Sequence, residues 1–175
     1  ARLRPSPDPE LPMTTAPFDV GLVVDRLRET ELLGGGPDKR LRMVGMAADY
    51  ATVKDLREFV TPSAFVLLAR EQFEPNPPSF GNPGEQVATN QRGTATIGVV
   101  VAARNYREQA GAQLSNDFML LLQSLRNRLL GWVPPVSGAR PLQLRQGDLL
   151  QYDKSTALWC DVWSTSLFLG AEAKR

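Results

Sequence analysis

Histidine is absent from the 175 residues, and cysteine occurs once, at Cys160. The first absence removes the commonest general base, proton shuttle and metal ligand. The second excludes a disulfide within the chain and any zinc site built on thiolates. A cysteine nucleophile normally works with an imidazole partner, so Cys160 is expected to be a small, buried apolar residue in a strand. Net charge is scarce as well: 20 basic residues face 19 acidic ones, leaving +1 at pH 7. That balance gives no global attraction to nucleic acid or to a membrane surface. The longest apolar runs, such as Ile97 to Ala103, are far too short to span a bilayer. No stretch has the charged, apolar, small-residue order of a signal peptide, so synthesis in the cytoplasm is expected.

What is present fits one globular domain. At 42% hydrophobic and 22% charged residues the composition is ordinary, and the length suffices to bury a single core. Only Lys39, Lys54, Lys154 and Lys174 are lysines, so arginine dominates the basic residues. Arginine makes planar, bidentate contacts favoured at protein interfaces; a GC-rich coding sequence produces the same bias and is the preferred explanation.

Residues 1–16 are read as an extended N-terminal arm. Its first part carries Pro5, Pro7, Pro9 and Pro12 and has almost nothing to bury. Met13, followed by Thr14 and Thr15, has the form of a natural start. The domain is expected over residues 17–170, with 171–175 a C-terminal tail. A first helix is predicted from Pro17 to Glu31, with Val20, Val23, Val24 and Leu27 as its apolar stripe, ended by Gly34, Gly35, Gly36 and Pro37. A short strand is predicted over Leu41 to Met46 and a second helix over Asp49 to Phe59. Ala64 to Arg70 reads as an apolar strand. Phe73 to Gly84, with Pro75, Pro77, Pro78 and Pro83, cannot be regular structure. Two further strands follow, an exposed one over Glu85 to Arg92 and a central one over Thr94 to Ala103.

Leu114 to Leu130 is the clearest helix. Leu114, Phe118, Leu121, Leu122, Leu125 and Leu129 keep helical spacing, Ser115 or Asn116 can cap it, and Gly131, Pro134 and Pro135 stop it. Pro141 to Leu150 and Leu158 to Leu169 then form a terminal hairpin, joined near Lys154 to Thr156, with Gly147 as a candidate bulge. At about 3.3 Å per residue this ribbon approaches 40 Å, long for a domain of this size, so part of it is expected to meet another subunit. The fold class is α+β: one domain with a largely antiparallel sheet, a long helix in the C-terminal half packed on one face, and a terminal β-hairpin.

No motif supplies catalysis. The Gly34 to Pro37 stretch lacks the Gly-Lys-Ser/Thr of a phosphate loop and reads as a flexible turn. Asp148, Asp153 and Asp161 could meet on the terminal ribbon and share protons or hold Mg²⁺. The preferred reading leaves them solvated, or paired with Arg140, Arg145 or Lys154. Arg104, Arg107, Arg126, Arg128, Arg140 and Arg145 outnumber Glu108 and Asp117 over that stretch, as a local basic surface or, preferably, a dispersed one. Trp159 and Trp163 are four apart and share one strand face with Asp161 between them; packing in the core and anchoring an interface both stand. Trp132, between a helix stop and two prolines, is a semi-exposed anchor or a packed residue.

Taken together, RNYREQAGAQ, LLLQSLRNRLLGWVPP, GARPLQLRQGDLLQYD and LWCDVWSTSLFL resemble the tail terminator family of Mu-like phages and related prophages. The likeness is best from Thr94 to Leu169 and weaker over Phe18 to Arg70, where VGMAADYATV precedes SAFVLLARE. The Pro-rich arm and Gly34 to Pro37 depart from the family's pattern. The resemblance implies a structural virion protein, not an enzyme, with no cofactor and no metal. It implies a six-membered ring of the subunit on the tail tube that ends polymerisation and joins the tail to head connector or neck proteins. It also implies genomic DNA passing through the lumen without sequence-specific binding, no membrane, and assembly in the bacterial host cytoplasm. Phe73, Phe80, Arg92, Arg104, Trp132, Arg145, Trp159 and Trp163 are the expected subunit or partner contacts. The alternatives are another neck or head-completion connector, a host-side adaptor module, or a hydrolase using the acidic ribbon.

Overall fold

The Thr- and Val-rich run from Thr94 to Ala103 lies in the middle of a mixed five-stranded sheet. The computed structural model of the protein describes residues 13–29, 41–76, 80–104, 114–153 and 155–171. Their order is α1 (Gly21–Arg28), β1 (Met43–Met46), α2 (Ala47–Ala51), a 3-10 turn at Leu56–Glu58, β2 (Ser63–Phe73), β3 (Thr89–Arg104), α3 (Asn116–Leu129), β4 (Gln143–Tyr152) and β5 (Thr156–Ala171). The sheet order is β1-β2-β3-β5-β4. β1 and β2 are parallel, whereas β2–β3, β3–β5 and β4–β5 are antiparallel. The class is therefore α+β, with the terminal hairpin present and the sheet mixed. Residues 1–12 of the expected arm and the Gly34 to Pro37 turn lie outside the described residues.

Several boundaries differ from the sequence reading, each for a local reason. α1 begins at Gly21, not Pro17. The Asp19 carboxylate accepts from the Gly21 N–H at 2.8 Å, and the Phe18 N–H donates to Glu71 Oε1 at 2.7 Å. This pins Pro17 and Phe18 as an extended entry segment. The expected Asp49 to Phe59 helix divides into α2 and the 3-10 turn. Asp49 turns back to the Met46 N–H (2.8 Å) and Asp55 caps the Arg57 N–H (3.1 Å), so each short acid starts its own turn. Glu85 to Arg92 and Thr94 to Ala103 are not two strands. From Thr89 onward they are one, continuous through Gly93, where the Phe73 ring lies so close that a Cβ would come 2.3 Å from its Cδ1. α3 matches its expectation within two residues, and the Ser115 hydroxyl caps the Phe118 N–H at 3.3 Å.

The strand period of two divides the sheet residues between two faces. On β3, Ala95, Ile97, Val99, Val101 and Ala103 share one core with Ala64 and Val66 of β2 and with Ala157, Trp163 and Leu167 of β5. Val23, Val24 and Leu27 of α1 and Phe118, Leu121, Leu122, Leu125 and Leu129 of α3 belong to the same core. Burial of each such side chain contributes about 1.5–3 kcal/mol. A smaller cluster on the other face holds Leu56, Ala102 and Leu158, with Phe59 against it. There Phe65 stacks between Tyr50 and Phe59, each centroid 5.7 Å away.

One charged group sits inside the main core face. Asp161 is 2% exposed. It accepts two hydrogen bonds from Arg126 of α3, both at 2.7 Å, and one from the Trp159 indole N–H at 2.7 Å. The Arg126 guanidinium also lies 5.8 Å from the Trp159 ring centre. The hydrogen bond to Asp161 holds Arg126 above the ordinary guanidinium value. Gly147 faces Asp161 across β4–β5. It is not the bulge that its sequence position suggested; the irregularities fall between Leu144 and Gln146 and between Leu149 and Gln151. Its role is clearance: a Cβ there would meet Arg126 Nη2 at 2.8 Å and Asp161 Oδ1 at 2.9 Å.

Asp161→Asn should therefore cost about 1–2 kcal/mol in urea unfolding, because it removes a charge-assisted pair whose Arg126 side chain stays 34% exposed to water. Wild-type stability in that variant would contradict the role assigned to the pair. Gly147→Ala should lower stability by about 1–3 kcal/mol by crowding the same pair, read as a shifted urea midpoint at constant slope.

Candidate assembly interface

The three ribbon carboxylates do not form one site. Asp161 is on the core face with Arg126. Asp148 pairs across the ladder with Cys160, on the opposite face, and accepts from Gln146 Nε2 at 2.6 Å. Asp153 shapes the β4–β5 turn, accepting from the Ser155 and Thr156 N–H groups at 2.7 Å each. These bonds, the Ser155 one first, hold its carboxyl below the usual range. A depressed carboxylate adds stability above its unfolded value and loses it as pH falls through the folded one. No group of three or more metal-ligating side chains occurs among the described residues. Asp161 has found a partner in Arg126, which the sequence had placed on a basic surface.

That basic set is divided, with only Arg140 and Arg145 lining one cavity. Arg126 is held by Asp161, and Arg128 bonds Glu29 and the Arg26 carbonyl, tying α3 to the end of α1. Arg104 is exposed at the end of β3, opposite Thr156. Arg107 and Glu108 lie outside the described residues.

The aromatic residues among the expected contacts separate into three environments. Trp163 is 1% exposed and belongs to the core. Trp159, Trp132 and Phe73 are half-buried against that core. Trp132 carries the Arg26 guanidinium 5.5 Å from its ring centre, and its backbone exchanges with the chain on either side: its N–H donates to the Leu129 carbonyl, and its carbonyl accepts from Leu142. Phe80 is 100% exposed. It sits in the loop between β2 and β3, where residues 80–88 are exposed throughout.

Arg92 and Arg145 come together, with Arg140, in a cavity of about 300 Å³. Thr94, Gln143, Ser164 and Ser166 share it, and Glu74 stands in the same lining. β3, β4 and β5 each contribute to it through the register Arg92–Phe168, Thr94–Ser166 and Gln143–Ser164. The register shift after Leu144 leaves Arg145 without a ladder partner, and its Nε donates to Ser164 Oγ at 2.6 Å. Sequence reasoning grouped Arg140 with Arg145 among the basic residues but did not join Arg92 to them, and it missed Glu74 as their neighbour. Only the alternation of Thr and Ser with apolar residues on β3 and β5 hinted at a polar half-face. A second cavity, about 410 Å³, opens at the other end of the sheet among Tyr50, Lys54, Leu56, Phe59 and Leu158.

An α+β subunit with one covered core, a wholly exposed aromatic loop residue and a polar groove on its sheet is built to contact other proteins. A family model for the phage tail terminator protein matches residues 13–173, and the chain belongs to that family. It is accordingly a structural component of a phage virion, acting in tail assembly through contacts with other tail or head proteins. No curated protein matches the chain. No helix among the described residues is long and apolar enough to cross a membrane.

Cys160 is half-buried, more open than its sequence context suggested, and sits on the sheet face opposite the main core. Burial raises its thiol pKa first, with Asp161 and Asp148 adding to it. The thiolate is therefore scarce near neutral pH. Its reaction with a chromogenic disulfide reagent at pH 7.5 should be slow in the folded protein and accelerate on unfolding in urea; equal rates would show that neither burial nor the carboxylates govern it.

Proposed function

We propose that six copies of this subunit close into a ring on the tip of the tail tube. The ring ends tube polymerisation and presents the surface to which the head connector or neck proteins join. Genomic DNA passes through the lumen without base-specific contact, and the particle matures in the cytoplasm of a bacterial host. In this reading α3 forms an outer layer on one face of the sheet.

The observation that carries the reading is the β3–β5 ribbon. Both strands have 16 residues and pair along their whole length. At about 3.3 Å per residue that is roughly 50 Å, whereas a compact domain of this length is about 40 Å across. The excess lies at the Thr89 end, beside the loop that carries Phe80. An aromatic side chain that buries nothing in its own subunit is suited to burial against a neighbour. A loop at one end of a subunit meeting a different patch on the next makes a heterologous contact, the kind that closes rings.

Deletion of the gene should yield tails of uncontrolled length or particles without joined heads, scored by negative-stain microscopy. Tails of normal length carrying heads would reject the reading. Phe80→Ser should leave the unfolding free energy within about 0.5 kcal/mol of wild type, yet fail to restore normal tails when supplied to the deletion strain. Full complementation would remove Phe80 from the interface.

A further inference from the structure

We infer that the groove at Arg92, Arg140 and Arg145 is the docking site for an extended, acidic segment of a partner polypeptide. The inference rests on the joining role proposed above for the partner's being a virion protein; the binding chemistry stands on the groove alone. Three arginines line about 300 Å³, and one acidic residue, Glu74, shares the lining. None of these four makes an ion pair with a described residue. This differs from Arg126 and Arg128, which are paired within the subunit. Arg145 spends its Nε on Ser164 Oγ, an anchor that fixes the plane of the guanidinium over the groove. Pre-oriented guanidinium groups bind carboxylates in bidentate fashion.

The position of the groove selects an extended occupant. Gln143 and Arg145 belong to β4, the edge strand of the sheet. An edge strand offers unpaired backbone donors and acceptors to an added strand. In such a strand alternate side chains point to one face, so acidic residues spaced by two would line the Arg145 side of the groove, with Arg92 across it on β3. Thr94 and Gln143 can hydrogen-bond a peptide backbone.

Glu74 separates a polypeptide from a nucleic acid. A phosphate strand laid in the groove would meet that carboxylate with nothing to offset the repulsion, whereas a peptide can present a backbone N–H or a lysine to it. The net charge of +1 also supplies no long-range field of the kind that draws proteins to DNA.

The test is fluorescence anisotropy on the full chain with three labelled probes: a peptide alternating glutamate and threonine, one alternating lysine and threonine, and a 20-base-pair duplex. The acidic peptide should bind saturably, and the basic one should not. Arg92→Gln with Arg145→Gln should weaken the acidic peptide at least ten-fold. Arg140→Gln, which removes no side-chain hydrogen bond or ion pair to a described residue, should weaken it about three-fold with an unchanged melting curve and so guards against a folding defect in the double variant. Absence of saturable binding by the wild type, or unchanged affinity in Arg140→Gln, would overturn the proposal. So would tighter, arginine-dependent binding of the duplex, which would assign the groove to nucleic acid. Supplied to the deletion strain, the Arg140→Gln and Arg145→Gln double variant should give tails of normal length with fewer joined heads. Tails of normal length carrying heads in the deletion strain itself, beside an intact peptide response of the wild type, would instead place the fault in the ring reading and leave the groove standing.

Discussion

The full-length pairing of β3 with β5 is the constraint on which the other features depend. Its 16 register pairs run from Thr89–Ala171 to Arg104–Thr156 without a break. An unbroken ladder keeps the alternation of side chains in phase from end to end. Odd-numbered residues of both strands therefore stay on the core face, and even-numbered residues stay on the other. A one-residue bulge in β3 between Arg92 and Ile97 would change the phase of that strand and turn Arg92 to the face where Ile97 now lies. The two irregularities that do occur beside β5 are both in its pairing with β4, the edge strand, where the misfit is absorbed at the periphery. One of them frees Arg145 to reach Ser164.

The same alternation explains why Asp161 needs Arg126. Asp161 occupies an odd position between Trp159 and Trp163, so it must point into the core. An ionised carboxylate there is tolerated only with charge-assisted hydrogen bonds. Arg126 on α3 and the Trp159 indole provide three of them, and Gly147 leaves the room. The pair also sets a rotation for α3, because the face carrying Arg126 must look toward β5 while Phe118, Leu122, Leu125 and Leu129 meet the core. Arg128 fastens the helix to α1 at the same end. A polar contact thus gives a geometric specification that the leucines alone, being interchangeable in shape, would leave looser.

Much of this was legible from local pattern. The α3 stripe, its Ser115 cap and the common face of Trp159 and Trp163 follow from helical and strand periods, which act over a few residues. The misses came where short side chains competed with those periods. Asp19, Asp49 and Asp55 each captured a nearby N–H group and reset a helix boundary, an effect that hydrophobic spacing does not register. The continuous β3 was hidden because Gly93 reads as a breaker; the ring of Phe73, from another strand, covers it and keeps the ladder intact.

The amino-acid sequence by itself determined that these 175 residues hold no histidine and no disulfide within the chain, that they fold as an α+β domain, and that they belong among phage tail terminators. Those conclusions rest on composition and on motifs whose meaning is local. Only the tertiary structure decided that Asp161 belongs to Arg126 and not to Arg140 or Arg145, and that Arg92, Arg140 and Arg145 share one groove. Strand alternation tells which face a residue takes, but not which residue of a distant strand stands beside it. That neighbour is chosen by register, and register is settled only when the whole sheet closes over its core.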